Sequence, residues 1–165
     1  MMEHQKHFAG MPAESRLWTF MADKVLKQED LDVIHQRAKQ FLMQWNAHGD
    51  AVQGEYAVLY NQFLVMVVDE KQTAVSGCSV DSMVRFVQEL GSELQVDFTN
   101  RMLIAYLQHD RMEIRPLPQF KQQVRSGDID AETLVFNPSV VTLQEWRDNW
   151  LVHLPQSWAG SLLPN

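Results

Sequence analysis

The sequence predicts an α+β fold, a ferredoxin-like β-α-β-β-α-β antiparallel sheet with a small C-terminal helix/strand appendage. Three observations predict it. Two stretches repeat apolar residues every three or four positions, the pattern of helices with one buried face. Strand-like runs flank them in the order strand, helix, strand, strand, helix, strand over residues 15–107, which is the order of a split β-α-β unit. Beyond residue 110 the pattern changes to short elements punctuated by Pro and Gly. The expected organisation is a flexible N-terminus over 1–14, an α+β core domain over 15–110, and an appendage over 111–165 packed on that core.

Each element follows from its residues. In SRLWTFM (15–21), Leu17, Thr19 and Met21 alternate with Trp18 and Phe20, the two-residue period of a strand. From Glu29 to Trp45, the positions Leu31, Ile34, Ala38, Phe41, Leu42 and Trp45 share one helical face, and Glu29 and Asp30 suit the positive end of the helix dipole. GEYAVLY (54–60) and FLVMVVD (63–69) read as a hairpin turning at Asn61 and Gln62. Val80, Met83, Val84, Val87, Leu90 and Leu94 mark a second amphipathic helix. RMLIAYL (101–107) is the fourth strand, and MEIRP a short fifth that Pro116 ends. In the appendage, a helix starts near Pro118 and ends at Gly127, TLVF (133–136) is a strand, and Thr142 caps a turn through Trp146. Trp146, Trp150 and Trp158 are expected to pin an extended tail. Met66, Met83 and Met102 fall at core positions and are expected to pack rather than bind.

Composition narrows the function. A chain of 165 residues that is 45% hydrophobic can bury a full core. The excess of 21 acidic over 14 basic residues, a formal charge of −7, argues against a nucleic-acid partner. No apolar run approaches the roughly 20 residues of a membrane span, and MMEHQKHFAG lacks the apolar segment of a secretory signal. A cytoplasmic protein without membrane contact is expected, and the single Cys78 fits a reducing compartment.

One stretch, VSGCSVDSM (75–83), carries chemical suggestions. A Gly-containing turn before a helix presents free amides to an anion, so Gly77, Ser79 and Asp81 are candidate residues for an anion or nucleotide-like ligand, bound without hydrolysis. The same letters serve as a plain helix start with Ser79 as the N-cap. Cys78, at that helix start, is a candidate nucleophile or redox-sensing thiol, with His48 or His109 as its base. The other histidines show no metal-ligand spacing, so neither a metal nor a cofactor is expected.

ESRLW, QWNAHG, YNQFLVMVVDE, SGCSVDSMVRF and TLVFNPSVVTLQEW together resemble a family of uncharacterised bacterial proteins labelled ABC transporter ATPase. The resemblance spans residues 13–160, implies no activity, and carries over no functional residue. VSGCS echoes the LSGGQ signature loop of such ATPases, yet the chain has no Gly-Lys pair and so no phosphate-cradling Walker A loop, which excludes ATPase activity. A shorter stretch, VRSGDIDAETLVF, looks like the helix, Gly turn and strand of GYF-type domains, which bind proline-rich peptides. The GYF signature itself is missing.

Two classes of function result. The first is a non-catalytic binding or protein-interaction module, working with a protein partner or as a homodimer. It rests on a sheet whose uncovered face would carry Trp18, Phe20 and Tyr60. The second is a small cysteine-dependent enzyme or thiol sensor built on Cys78, with ligand binding at 77–81 as a further alternative.

Overall fold

The computed structural model describes residues 2–47, 52–71 and 74–164. The architecture is α+β, with two antiparallel sheets in two compact units. The first unit is Met1–Thr99 with Val141–Arg147, and the second is Asn100–Val140 with Asp148–Asn165.

In the first unit, β1 (Arg16–Met21), α1 (Gln28–Ala47), β2 (Gln53–Leu59), β3 (Phe63–Asp69) and α2 (Gly77–Leu94) follow the expected order. The strands lie β1-β3-β2 with both pairings antiparallel, so β3 sits between the two strands that α1 connects. Register places Trp18 opposite Met66 and Phe20 opposite Leu64, with Tyr56 and Val58 across β3 from the same two residues. These side chains form the core face. They pack with Ile34 and Trp45 of α1 and Met83, Val87 and Leu90 of α2. Phe41 and Phe86 join the two helices by a near-parallel stack, with centroids 4.5 Å apart.

The sheet's other face differs from expectation. Leu17, Ala57, Leu59, Phe63, Val65 and Val67 point away from the helices, and all are buried within the single chain. Trp18 and Phe20 lie on the helix side instead. That face carries neither Trp18 nor Phe20. β3 is buried on both faces, which is why FLVMVVD is an unbroken apolar run rather than an alternating one.

Residues 2–14 also differ from the flexible terminus expected. Glu3–Lys6 forms a 3-10 turn in which His4 is 1% exposed, and Phe8 is buried behind it. His4 meets the Trp146 ring edge-on at 5.0 Å, Gln5 donates to the Arg147 carbonyl, and Arg147 donates back to the carbonyls of His7 and Phe8. Residues 141–143 run beside β1, with the Leu17 amide donating to the Val141 carbonyl and the Leu143 amide to that of Ser15.

The hairpin turns at Tyr60 and Asn61, whose φ values of 57° and 50° are left-handed, rather than at Asn61 and Gln62. Gln62 is fully buried, and its amide donates to the carbonyls of Ala22 and Lys24, where the chain leaves β1 for α1. The Ala22 carbonyl of this pair is buried, so the amide is its partner away from water. Gln62→Ala is therefore expected to cost about 1–3 kcal/mol in urea unfolding, against a few tenths for a typical exposed glutamine.

The second unit contains β4 (Leu103–Gln108), β5 (Arg111–Pro116), α3 (Leu117–Ser126), β6 (Leu134–Phe136) and β7 (Leu151–His153), with sheet order β5-β4-β6-β7. β4, expected to close the first sheet, pairs instead with β5 and β6. The tail is not extended: after β7 it forms two 3-10 turns, Leu154–Gln156 and Gly160–Leu162. The core gathers Ile104, Tyr106, Phe120, Val124, Ile129, Val135, Leu154 and Ala159. α4 (Leu143–Asn149) follows β6 in the chain. Thr142 caps it as expected, accepting from the Glu145 amide at 3.1 Å.

Candidate functional site

The residues of VSGCSVDSM fall at the start of α2, one turn earlier than the helix start read from sequence. Ser76, not Ser79, is the N-cap: its hydroxyl accepts from the Ser79 amide at 3.1 Å, and its carbonyl accepts from Val80. The Ser79 amide is therefore spent on the helix's own cap, and Asp81 sets a negative charge one turn inside. An anion at this point meets an occupied amide and an opposing carboxylate. Gly77 is the first helical residue, and Cys78, the second, is exposed.

His109 belongs to the second unit, in the left-handed β4–β5 turn at φ 51°, and is exposed. His48 lies outside the described residues. Among the described residues no group of three or more His, Cys, Asp or Glu side chains is placed to hold a metal, and no helix is long and apolar enough to cross a membrane.

A cleft of about 480 Å³ lies beside the C-terminal end of α2, lined in part by Asp23, Gly91, Gln95, Asp97 and Phe98. Its carboxylates are already engaged. Asp97 accepts from the amide and hydroxyl of Thr99, and Asp23 accepts from the Asp97 amide. These bonds close the loop that follows α2.

The second unit presents a different kind of surface, an aromatic one. Tyr106 on β4 and Phe120 on α3 are buried, with ring centroids 5.5 Å apart. Trp158 lies over Phe120 at 5.7 Å yet remains 43% exposed, the only one of the five tryptophans among the exposed large hydrophobic residues. Leu117, Leu162 and Leu163 are partly buried around the same core.

Local sequence explains why Trp158 stands out while Trp146 and Trp150 are buried. The 3-10 turns direct Leu154 and Ala159 inward, and the Ser157 hydroxyl holds the chain between them by donating to the Leu154 carbonyl at 2.7 Å. Gly160 packs so closely that a Cβ there would stand 2.5 Å from the Pro155 carbonyl oxygen. The backbone around Trp158 is thus fixed, and its ring is supported from below by Phe120. Sequence reading treated Trp158 as another tail anchor; the available signal was the Ala159-Gly160 pair, small residues that bring the backbone in and leave the large ring outside.

Met102, expected in the core, is 55% exposed in the turn before β4, whereas Met66 and Met83 are buried as expected. The VRSGDIDAETLVF stretch forms the end of α3, a left-handed Gly127 at φ 87°, and β6. No family model, curated protein or solved structure matches the chain.

Proposed function

We propose that this chain is a non-catalytic cytoplasmic binding protein whose second unit takes an extended, proline-containing peptide from a protein partner on the Trp158 face. The observation that carries this reading is Trp158 itself, an exposed indole that meets the buried Phe120 ring at a tilt of 42° with centroids 5.7 Å apart. A rigid aromatic ring with apolar neighbours loses little side-chain entropy on binding and offers a stacking surface for pyrrolidine rings. Proline-rich segments suit such a surface because their polyproline II conformation is already formed before binding. The resemblance of VRSGDIDAETLVF to GYF-type domains, which lacks their signature, points to the same ligand class.

The catalytic alternative rests on the exposed Cys78 alone. Association of two copies through the Trp158 face is the competing form of interaction, since the central strand of the first unit's sheet is buried on both faces within one chain. Titrating the protein with a proline-rich decapeptide and a Gly-Ser decapeptide tests the proposal, with light scattering to read the oligomeric state. The expected result is a monomer whose Trp158 indole resonance shifts with the proline-rich peptide alone. A dimer that protects Trp158, or an unshifted indole, would overturn the peptide reading.

A further inference from the structure

We propose that the N-terminal segment, residues 2–11, is a pH-sensitive latch that protonation of His4 releases from α4. The latch is held by a few contacts converging on two residues. His4 is 1% exposed, packs edge-on against Trp146, and places Nε2 3.3 Å from the Arg147 carbonyl oxygen. Because a carbonyl only accepts, the docked neutral ring carries its proton on Nε2. Phe8 packs against the same indole at 5.6 Å. The Arg147 guanidinium closes the contact by donating to the His7 and Phe8 carbonyls. No strand pairing ties residues 2–11 to the sheet, whose first strand begins at Arg16.

A buried imidazole in this setting resists charge. Burial holds its pKa below the ordinary value, the neighbouring His7 acts in the same direction, and the hydrogen bond from the ring to the Arg147 carbonyl opposes the shift without reversing it. The charged or titratable groups beside it are His7 on its own segment and Arg147 on α4. Glu3 and Lys6 pair with each other at 3.7 Å on the solvent side. The released segment binds a proton at about pH 6.5, whereas the docked one binds it only at lower pH. Docking is therefore at full strength above pH 6.5 and weakens as pH falls below it. The released-to-docked ratio rises by up to about tenfold per pH unit until the docked pKa is reached. Release would uncover Phe8 and the Trp146 ring, a change of surface in the pH range where histidine switches operate.

The test is hydrogen exchange of the Gln5, His7 and Met11 amides, each bonded within the segment, from pH 7.5 to 5.0 after correction for intrinsic rates. A proton NMR titration of the imidazoles accompanies it. The expected result is protection that falls by up to about tenfold per pH unit on acidification below about pH 6.5 while β3 stays protected, with His4 titrating below the ordinary histidine value. His4→Phe, which keeps a neutral ring against Trp146, is expected to hold its protection constant with pH. A His4 that titrates at the ordinary histidine value of about 6.5, or a His4→Phe protein that loses protection with the wild-type pH profile, would overturn the latch.

Discussion

Replacing Trp146 by alanine is expected to lower the unfolding free energy of the first unit by about 3–5 kcal/mol. The indole is fully buried and touches His4 and Phe8. Its removal leaves a void that neither can refill, because each is fixed by its own hydrogen bonds or packing. A natural domain has a total stability of only about 5–15 kcal/mol, so the variant should be partly unfolded near 37 °C. Urea unfolding followed by exchange of the β3 amides reads the first unit separately from the second. Trp146→Phe should recover most of the loss. A Trp146→Ala protein within about 1 kcal/mol of wild type would contradict the packing described.

Phe120→Ala is the second large effect, expected to cost the second unit about 3–5 kcal/mol. Phe120 is fully buried between Tyr106 and the underside of Trp158. The two roles are separable by a milder change. Phe120→Leu keeps volume in the core and should cost less than about 1.5 kcal/mol, but it removes the aromatic surface that supports the indole. The account predicts a folded Phe120→Leu protein whose Trp158 emission shifts to longer wavelength, since an unsupported ring moves into water. An unchanged spectrum would mean that Trp158 is held by something other than Phe120.

Much of the first unit was legible from local pattern. FLVMVVD, the α1 face from Leu31 to Trp45 and the α2 face from Val80 to Leu94 all place their apolar residues where the periodicities put them, because one buried face repeats at a fixed spacing. The α2 start slipped by three residues because SGCS offers two hydroxyls three positions apart, and Ser76 and Ser79 suit a cap equally well by local rules. What the sequence withheld are the long-range choices. Whether β4 joins β1 or pairs with β6 depends on Tyr106 meeting Val135, and nothing near residue 106 encodes that. His4 and Phe8 look like loose terminal residues until Trp146 is beside them.

The candidate site was less legible for a related reason. Residue types associated with chemistry, a cysteine and two histidines, drew attention to 75–83, but reactivity needs neighbours that spacing does not reveal. Trp158 was visible as a residue but not as a surface, since its exposure follows from the inward turn at Leu154 and Ala159. The Gly127 helix stop in the same unit was predictable, because a left-handed residue at a helix end has a strong local preference.

The central claim is that the Trp158 face binds a proline-containing peptide, and calorimetric titration of wild type and Trp158→Ala with the same decapeptide tests it most directly. Because Trp158 is 43% exposed, its loss should leave the protein folded, which circular dichroism can establish alongside. The account predicts saturable binding by the wild type and at least a tenfold weaker affinity for the variant, as befits an aromatic hot spot worth more than about 1.4 kcal/mol. Equal affinities, or no binding by the wild type, would contradict it.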